Sequence, residues 1–314
     1  MILTYGWRFV AVAFASFFLV HLLVTLAVAP VASAAIRVAS RFGPHRAARL
    51  FLALRLLPTC VAAFAVLAVC LPGYLRWEAE PGSERVGYVF VLTAVLGASI
   101  WALSLLRLAS AGRRFSRLIG ERRISDPAFG AVDIVSGPAA LVALKGILRP
   151  RIVLSSAVVQ ALNEEELSVV LRHEEAHRIS RDNLKRLIMF LAPSILPSRD
   201  GSLALERCWN TFSEYAADDD AVHRDTRRSL ALASALVRVA RLGSLSAVEM
   251  TASTLLDESG LSLRVHRLLE PVAAAEPDVA TRAPRILALV GLGLLLCAPF
   301  SYRFVQAILE SLIR

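Results

Sequence analysis

Cysteine is scarce in this chain, with four in 314 residues, and no two are spaced as CxxC. That excludes a disulfide framework and the usual thiolate metal clusters. The GxSxG elbow, the phosphate-binding P-loop and the dinucleotide GxGxxG fingerprint are missing too, which removes the commonest hydrolase, nucleotidase and dehydrogenase readings. No helix-turn-helix pattern and no interleaving of aromatic with basic residues accompanies the net charge of +9, so nucleic-acid binding is not expected. Charge itself is lacking over long stretches near the two ends, while the middle has an ordinary charged composition.

Those uncharged stretches set the architecture. The chain is 56% hydrophobic, where a soluble domain is usually about 45–50% apolar. Four runs approach the roughly 20 residues that cross a bilayer: 9–36, 56–75, 86–106 and 286–302. Ala32-Ser33-Ala34 resembles a signal-peptide cleavage site, but the apolar run before it is longer than a signal peptide's core. The expected organisation is three spans in residues 1–110, a soluble domain in 111–283, and a fourth span with a short tail in 284–314. The fold class expected is an α-helical membrane protein of four transmembrane helices with an inserted α+β domain.

Arginine is distributed unevenly among the loops. Arg37, Arg41, Arg46, Arg49 and Arg55 lie between the first two runs without an acid, and Arg107, Arg113, Arg114, Arg117, Arg122 and Arg123 follow the third. Lys/Arg-rich loops stay in the cytoplasm. A multi-pass protein of the cell (inner) membrane is therefore expected, with both termini and the loop 76–85 extracytoplasmic and the middle domain cytoplasmic. The same arginines suit anionic lipid headgroups. Cys60, Cys70 and Cys297 fall in spans and Cys208 stands alone in the soluble part, consistent with a reducing compartment.

Within the middle domain, Ala131–Ser136, Leu141–Leu144 and Arg151–Leu154 read as strands, punctuated by Gly146 and Pro150. Ser156 opens a short helix. Asn163, with Glu166 three residues on, predicts a capping box before a helix whose buried face includes Leu167, Val170 and Leu171. That helix runs on through His173-Glu174-Glu175-Ala176-His177, an HExxH motif.

On a helix, positions i and i+4 share a face, so both imidazoles can reach one metal ion, and neutral imidazole is a good ligand for Zn²⁺. Glu174 is displaced by one residue, placing its carboxylate where it can act as general base toward an attacking water. A catalytic zinc site needs a third protein ligand. Glu214 supplies one, and Asp218, four residues on, can accept the free N–H of a ligating histidine. The competing reading of Glu214 and Asp218-Asp219-Asp220 is a solvated acidic face; a calcium loop would need an alternating pattern with Gly, which is absent. Of the other histidines, His21 lies in a span as a packed or pore-facing group, and His45 and His266 sit among arginines at the surface. His223 is a surface residue or a donor to the oxyanion of the reaction.

HExxH followed by ExxxD, after three spans and before a fourth, resembles the antibiotic-sensing signal transducers of the BlaR/MecR type. The stretch Gly146 to Leu154, Arg181-Asp182-Asn183, and Trp209 ahead of Glu214–Val222 add to that resemblance. It implies a gluzincin-like zinc metallopeptidase with His173, His177 and Glu214 as ligands and Glu174 as base. It also implies a cytoplasmic protein substrate, a DNA-binding transcriptional repressor. The sequence ends at Arg314 without an SxxK-bearing sensor, so sensing is expected from a separate protein. The bilayer and a second copy of the chain (a homodimer) complete the expected partners. The rival readings are a quality-control or prenyl-type membrane protease and a non-catalytic signalling scaffold; the intact Glu174 argues against the scaffold.

Overall fold

A computed structural model describes residues 2–3, 5–77, 84–85, 87–118, 123–125, 132–135, 140–195, 201–244 and 258–270. Among these residues, three helical rods are long and apolar enough to cross a membrane. The first is α1 (Tyr5–Arg37). The second joins α2 (Pro44–Phe64), a π-helical turn (Ala65–Cys70) and α3 (Leu71–Trp77). The third is α4 (Tyr88–Leu118). Pro44 starts α2 at a position where its missing N–H costs nothing. Pro72, just after the π-helical turn, cannot donate back into the previous turn, which accounts for the local widening. The run 286–302 lies outside the described residues, as does most of the segment beyond 270.

The second rod extends well ahead of the apolar run 56–75. Residues 44–55 carry several arginines and would not be counted as a span by hydropathy. They are helical because they bury Ala47, Phe51 and Leu54 against other parts of the protein. At the far end of the bundle, a short ribbon pairs β1 (Ile2–Leu3) with β2 (Glu84–Arg85), so the N-terminus and the loop before α4 lie at one end. α1 and α4 approach closely at Gly97, where any Cβ would collide with the backbone of Phe14. Small residues at such crossings let membrane helices pack backbone to backbone. His21, buried in α1, is a packed polar group: its ring nitrogens lie 3.2 Å from Thr25 Oγ1 and 3.3 Å from Thr59 Oγ1 of α2.

The remaining elements form an α+β unit. Its sheet has the order β3-β4-β6-β5, with β3 Arg123–Ser125, β4 Val132–Val135, β5 Val142–Lys145 and β6 Arg151–Ser155. β4 and β6 are parallel and the outer pairs antiparallel. The three strands expected from the sequence are present; β3 adds a fourth, in a stretch read there only as juxtamembrane arginines. Gly146 takes φ +104 to turn the chain from β5, a conformation that side chains resist. Helices follow: α5 (Ser156–Ala161), α6 (Glu164–Ser180), α7 (Asp182–Leu191), α8 (Ser202–Val222), α9 (Thr226–Ser244) and α10 (Glu258–Leu269).

The capping box at the start of α6 is formed: Glu166 N–H donates to Asn163 Oδ1 (2.9 Å) and Asn163 N–H donates to Glu166 Oε2 (3.0 Å). One apolar core joins the sheet to α5, α6 and α9, around Leu154, Val158, Val169, Leu232 and Leu236. A second core joins the α+β unit to the spans. In it, Ala32, Ala35, Ala47, Phe51 and Leu54 meet Met189 of α7 and Leu205 and Trp209 of α8. The helix carrying Glu214 and Asp218 therefore packs directly along α2.

Candidate metal centre

α6 and α8 cross with their functional side chains facing. His173 and His177, one turn apart on α6, project Nε2 atoms that stand 3.1 Å from each other. Glu214 of α8 places Oε2 3.4 Å from His173 Nε2 and Oε1 3.6 Å from His177 Nε2. All three residues are buried, and one ligand atom from each lies within 4.8 Å of the others. An ion held tetrahedrally at about 2.0–2.1 Å has ligand atoms about 3.3–3.4 Å apart, which these separations bracket.

The hydrogen-bond partners behind the histidines make the same point. His177 Nδ1 is 2.7 Å from Asp182 Oδ2. His173 Nδ1 is 3.0 Å from Asp218 Oδ1, in a less well aligned contact. An ionised carboxylate only accepts, so Nδ1 of His177 carries the bridging proton, and the close approach of Asp218 favours the same tautomer for His173. In the neutral imidazoles both Nε2 atoms are then lone pairs pointed at one another and at a carboxylate. Such a donor set fits a cation, and imidazole with carboxylate suits Zn²⁺.

Without an ion, protons take its place. Burial alone would push the His177 pKa down, but the Glu214 charge and the Asp182 hydrogen bond outweigh it and hold it at about 10. His173 is likewise raised: the Asp218 and Glu214 bonds overcome its burial. Glu214 is held well below the ordinary carboxylate range despite burial, because His177 and Arg264 face it. Asp182, bonded to His177 and Lys185, is lowered to about 2 against the effect of burial.

Glu174, beside His173, is buried. Among the described residues no group hydrogen-bonds its carboxylate, leaving it able to accept a proton from a reactant. Asp218-Asp219-Asp220 is not one solvated face. Asp218 is wholly buried, Asp219 pairs with Arg267 at 2.6 Å, and Asp220 pairs with His45 at 3.1 Å. His223 sits exposed at the left-handed C-cap of α8, nine residues beyond Glu214. At 1.5 Å per residue that is about 13 Å along the helix, so it does not join the centre.

Three residues of the centre had no role assigned from sequence. Asp182 follows the break at Arg181 (φ 55), and its Oδ2 also accepts from Ser213 Oγ at 2.8 Å. Arg264 of α10 donates to both oxygens of Asp218 (2.7 and 2.9 Å) and lies 3.0 Å from Glu214 Oε2. It is hidden in a basic stretch that reads as surface. The available signal is positional: Leu261, Arg264, Val265 and Leu268 form an i, i+3, i+4, i+7 stripe, which puts an arginine on the core face. Arg186 of α7 flanks the other oxygen of Glu214, with Nη2 3.6 Å from Oε1.

The sheet edge nearest this centre is β5, and among the described residues no strand pairs with its outer side. Ser155 N–H donates to Leu141 O, so in the antiparallel alternation Val142 and Leu144 turn their backbone groups outward. Asn183, next to Asp182, donates to Leu144 O (3.0 Å) and Gly146 O (2.8 Å), closing one end of that edge.

A mixed sheet over an HExxH helix, with a carboxylate brought in by a second helix, defines a metallopeptidase, here carried on apolar helices of membrane-spanning length. Residues 109–286, more than half of the chain, match peptidase family M48, and the chain belongs to that family of metal-dependent peptidases. No curated protein and no solved structure matches it.

Proposed function

We propose that the protein is an integral membrane zinc endopeptidase that cuts a cytoplasmic protein, with His173, His177 and Glu214 as the metal ligands and Glu174 as the general base. The observation that carries this reading is the pair of imidazole Nε2 atoms 3.1 Å apart, each backed by a carboxylate and faced by Glu214. A bound zinc ion would polarise the scissile carbonyl and acidify a water molecule. Asp182 and Asp218 hold the two imidazoles in one tautomer and orientation. Glu174 takes the proton of the attacking water and returns it to the departing nitrogen. The outward backbone groups of β5 can pair with an extended segment of substrate, which favours flexible, locally unfolded targets.

The substrate we assign is a transcriptional repressor in a signalling pathway, on the resemblance of the motifs to BlaR/MecR-type transducers. The domain division at 110 and 283, a fourth span and the cytoplasmic placement of the centre belong to this proposal, and the arginine asymmetry supports them. A separate sensor acting through the spans is supported by the way α2 is bound to the catalytic helices. Arg55 of α2, buried, donates to Glu206 of α8 at 2.7 Å and to the Met189 and Ala192 carbonyls at the end of α7 at 3.1 and 2.9 Å. A shift of α2 would thus be felt by the helices that carry Glu214 and Asp182.

The test compares soluble proteomes of cells bearing the wild type and Glu174→Gln. A cytoplasmic regulator shortened only with the wild type is expected. Accumulation of damaged membrane proteins with Glu174→Gln, and no shortened regulator, would replace this reading with quality control.

A further inference from the structure

Three cations surround the metal centre, and they differ in what is left of their hydrogen-bonding capacity. Lys185 is bonded to Asp182 Oδ1 at 2.7 Å. Arg264 uses Nε and Nη2 on Asp218 and Nη1 on Glu214, and its side chain is 4% exposed. Neither can turn to a substrate without abandoning a buried carboxylate, which is costly.

Arg186 is different. A guanidinium offers five N–H donors, and among the described residues none of those of Arg186 makes a hydrogen bond. Its only polar contact there is the 3.6 Å approach of Nη2 to Glu214 Oε1, and its Nε is buried without a partner. The group is fixed by packing instead: its carbon centre lies 5.7 Å from the centroid of the buried Trp209 ring. The side chain is 29% exposed, so it borders both the centre and the outside. Buried donors without acceptors are rare and call for an explanation. A planar cation held against an aromatic face, next to a metal ligand, is suited to meet an oxygen that arrives with the substrate.

We infer that Arg186 is a catalytic residue that donates to the oxygen of the scissile carbonyl and stabilises the charge that gathers on it. The inference rests on the proposed peptidase reading. As water oxygen bonds to the carbonyl carbon, its proton passes to Glu174 and the π pair of the carbonyl moves onto oxygen, beside Arg186. When that pair returns, the C–N bond breaks and the proton held by Glu174 goes to the nitrogen. Arg186 and Arg264 flank different oxygens of Glu214, so the donor proposed here and the arginine that braces Asp218 are separate groups.

The test uses the full-length chain purified in detergent, a fluorogenic peptide taken from a casein digest by the wild type, and a phosphinic analogue of that peptide. Zinc content and thermal unfolding are measured alongside. For Arg186→Gln, kcat falls about 10²–10³-fold, the usual cost of one oxyanion donor, with KM little changed. Affinity for the phosphinic analogue, which mimics the charged tetrahedral species, falls by a similar factor, and zinc content stays at the wild-type level. Arg186→Lys, which keeps the charge and the stem over Trp209, retains an intermediate rate. Loss of zinc or of folding in both variants would make Arg186 a support for Glu214 and overturn the inference. So would an unchanged kcat, or a KM that rises by as much as affinity for the analogue falls. A wild type that neither cuts casein nor binds the analogue would instead overturn the peptidase reading itself.

Discussion

The chemistry of the centre depends on small sets of atoms, and Asp182 shows how far one side chain reaches. It accepts from His177, Lys185 and Ser213 at once. Asp182→Asn keeps the shape but removes the charge that orients the His177 imidazole. Zinc affinity, measured by competition with a chromogenic chelator, should fall about 10–100-fold; unchanged affinity would show that His177 is oriented by other means. pH provides a second check, on metal-stripped protein. His177 has its pKa raised from 6.5 to about 10. The stability it contributes is therefore full below about pH 6.5 and lost as pH rises toward 10. Asp182, lowered from 3.8 to about 2, contributes above pH 3.8 and loses that contribution as pH falls through 2. Thermal unfolding of the stripped protein should thus be best between about pH 4 and 6.5 and weaken on both sides. Because both imidazoles must be neutral to hold an ion, zinc uptake at pH 7 should release protons, which buffer-dependent calorimetry reads directly. The grouping of His173, His177 and Glu214 was legible in the sequence because HExxH and ExxxD are local patterns. Arg264 and Arg186 were not, because what matters about them is a neighbour 28 or 50 residues away in the chain.

Helix boundaries were legible wherever side chains set them. Asn163 and Glu166 announced α6, and Gly146 announced the end of β5. The helix that contains the run 56–75 starts at Pro44, because its first turns are stabilised by another helix. Ala47, Phe51 and Leu54 meet Trp209 and Leu205 across a contact that hydropathy along one strand of chain does not record. Burial against α8 also explains why Arg55 can sit in that rod: its charge is spent on Glu206 and on carbonyls at the end of α7. Helix-to-helix fit matters equally at the α1–α4 crossing. Gly97→Leu would drive a side chain into the Phe14 backbone. It should destabilise the bundle by about 1–3 kcal/mol, as overpacking does, read as a lowered unfolding midpoint in detergent, while Gly6→Ala, with open space around it, should change nothing. Equal effects at both positions would deny the crossing.

The described residues form an apolar helical bundle with a metallopeptidase unit fastened to one end and the N-terminal ribbon at the other. β1 and β2 place Ile2 beside Arg85, and the second core holds α7 and α8 at the opposite end. Cysteine labelling in intact cells should therefore reach sites near Ile2 and Glu84 from the same side, and not a site near Arg178. Labelling near Arg178 from outside would reverse the orientation argued from arginine. The account as a whole rests on a zinc ion held by His173, His177 and Glu214 with Glu174 as the base. It is tested most directly by measuring zinc content and casein hydrolysis together on purified Glu174→Gln beside the wild type. The account predicts equal zinc in the two proteins and hydrolysis by the wild type alone. Hydrolysis by Glu174→Gln at the wild-type rate, or a wild type that cuts without bound metal, would contradict it.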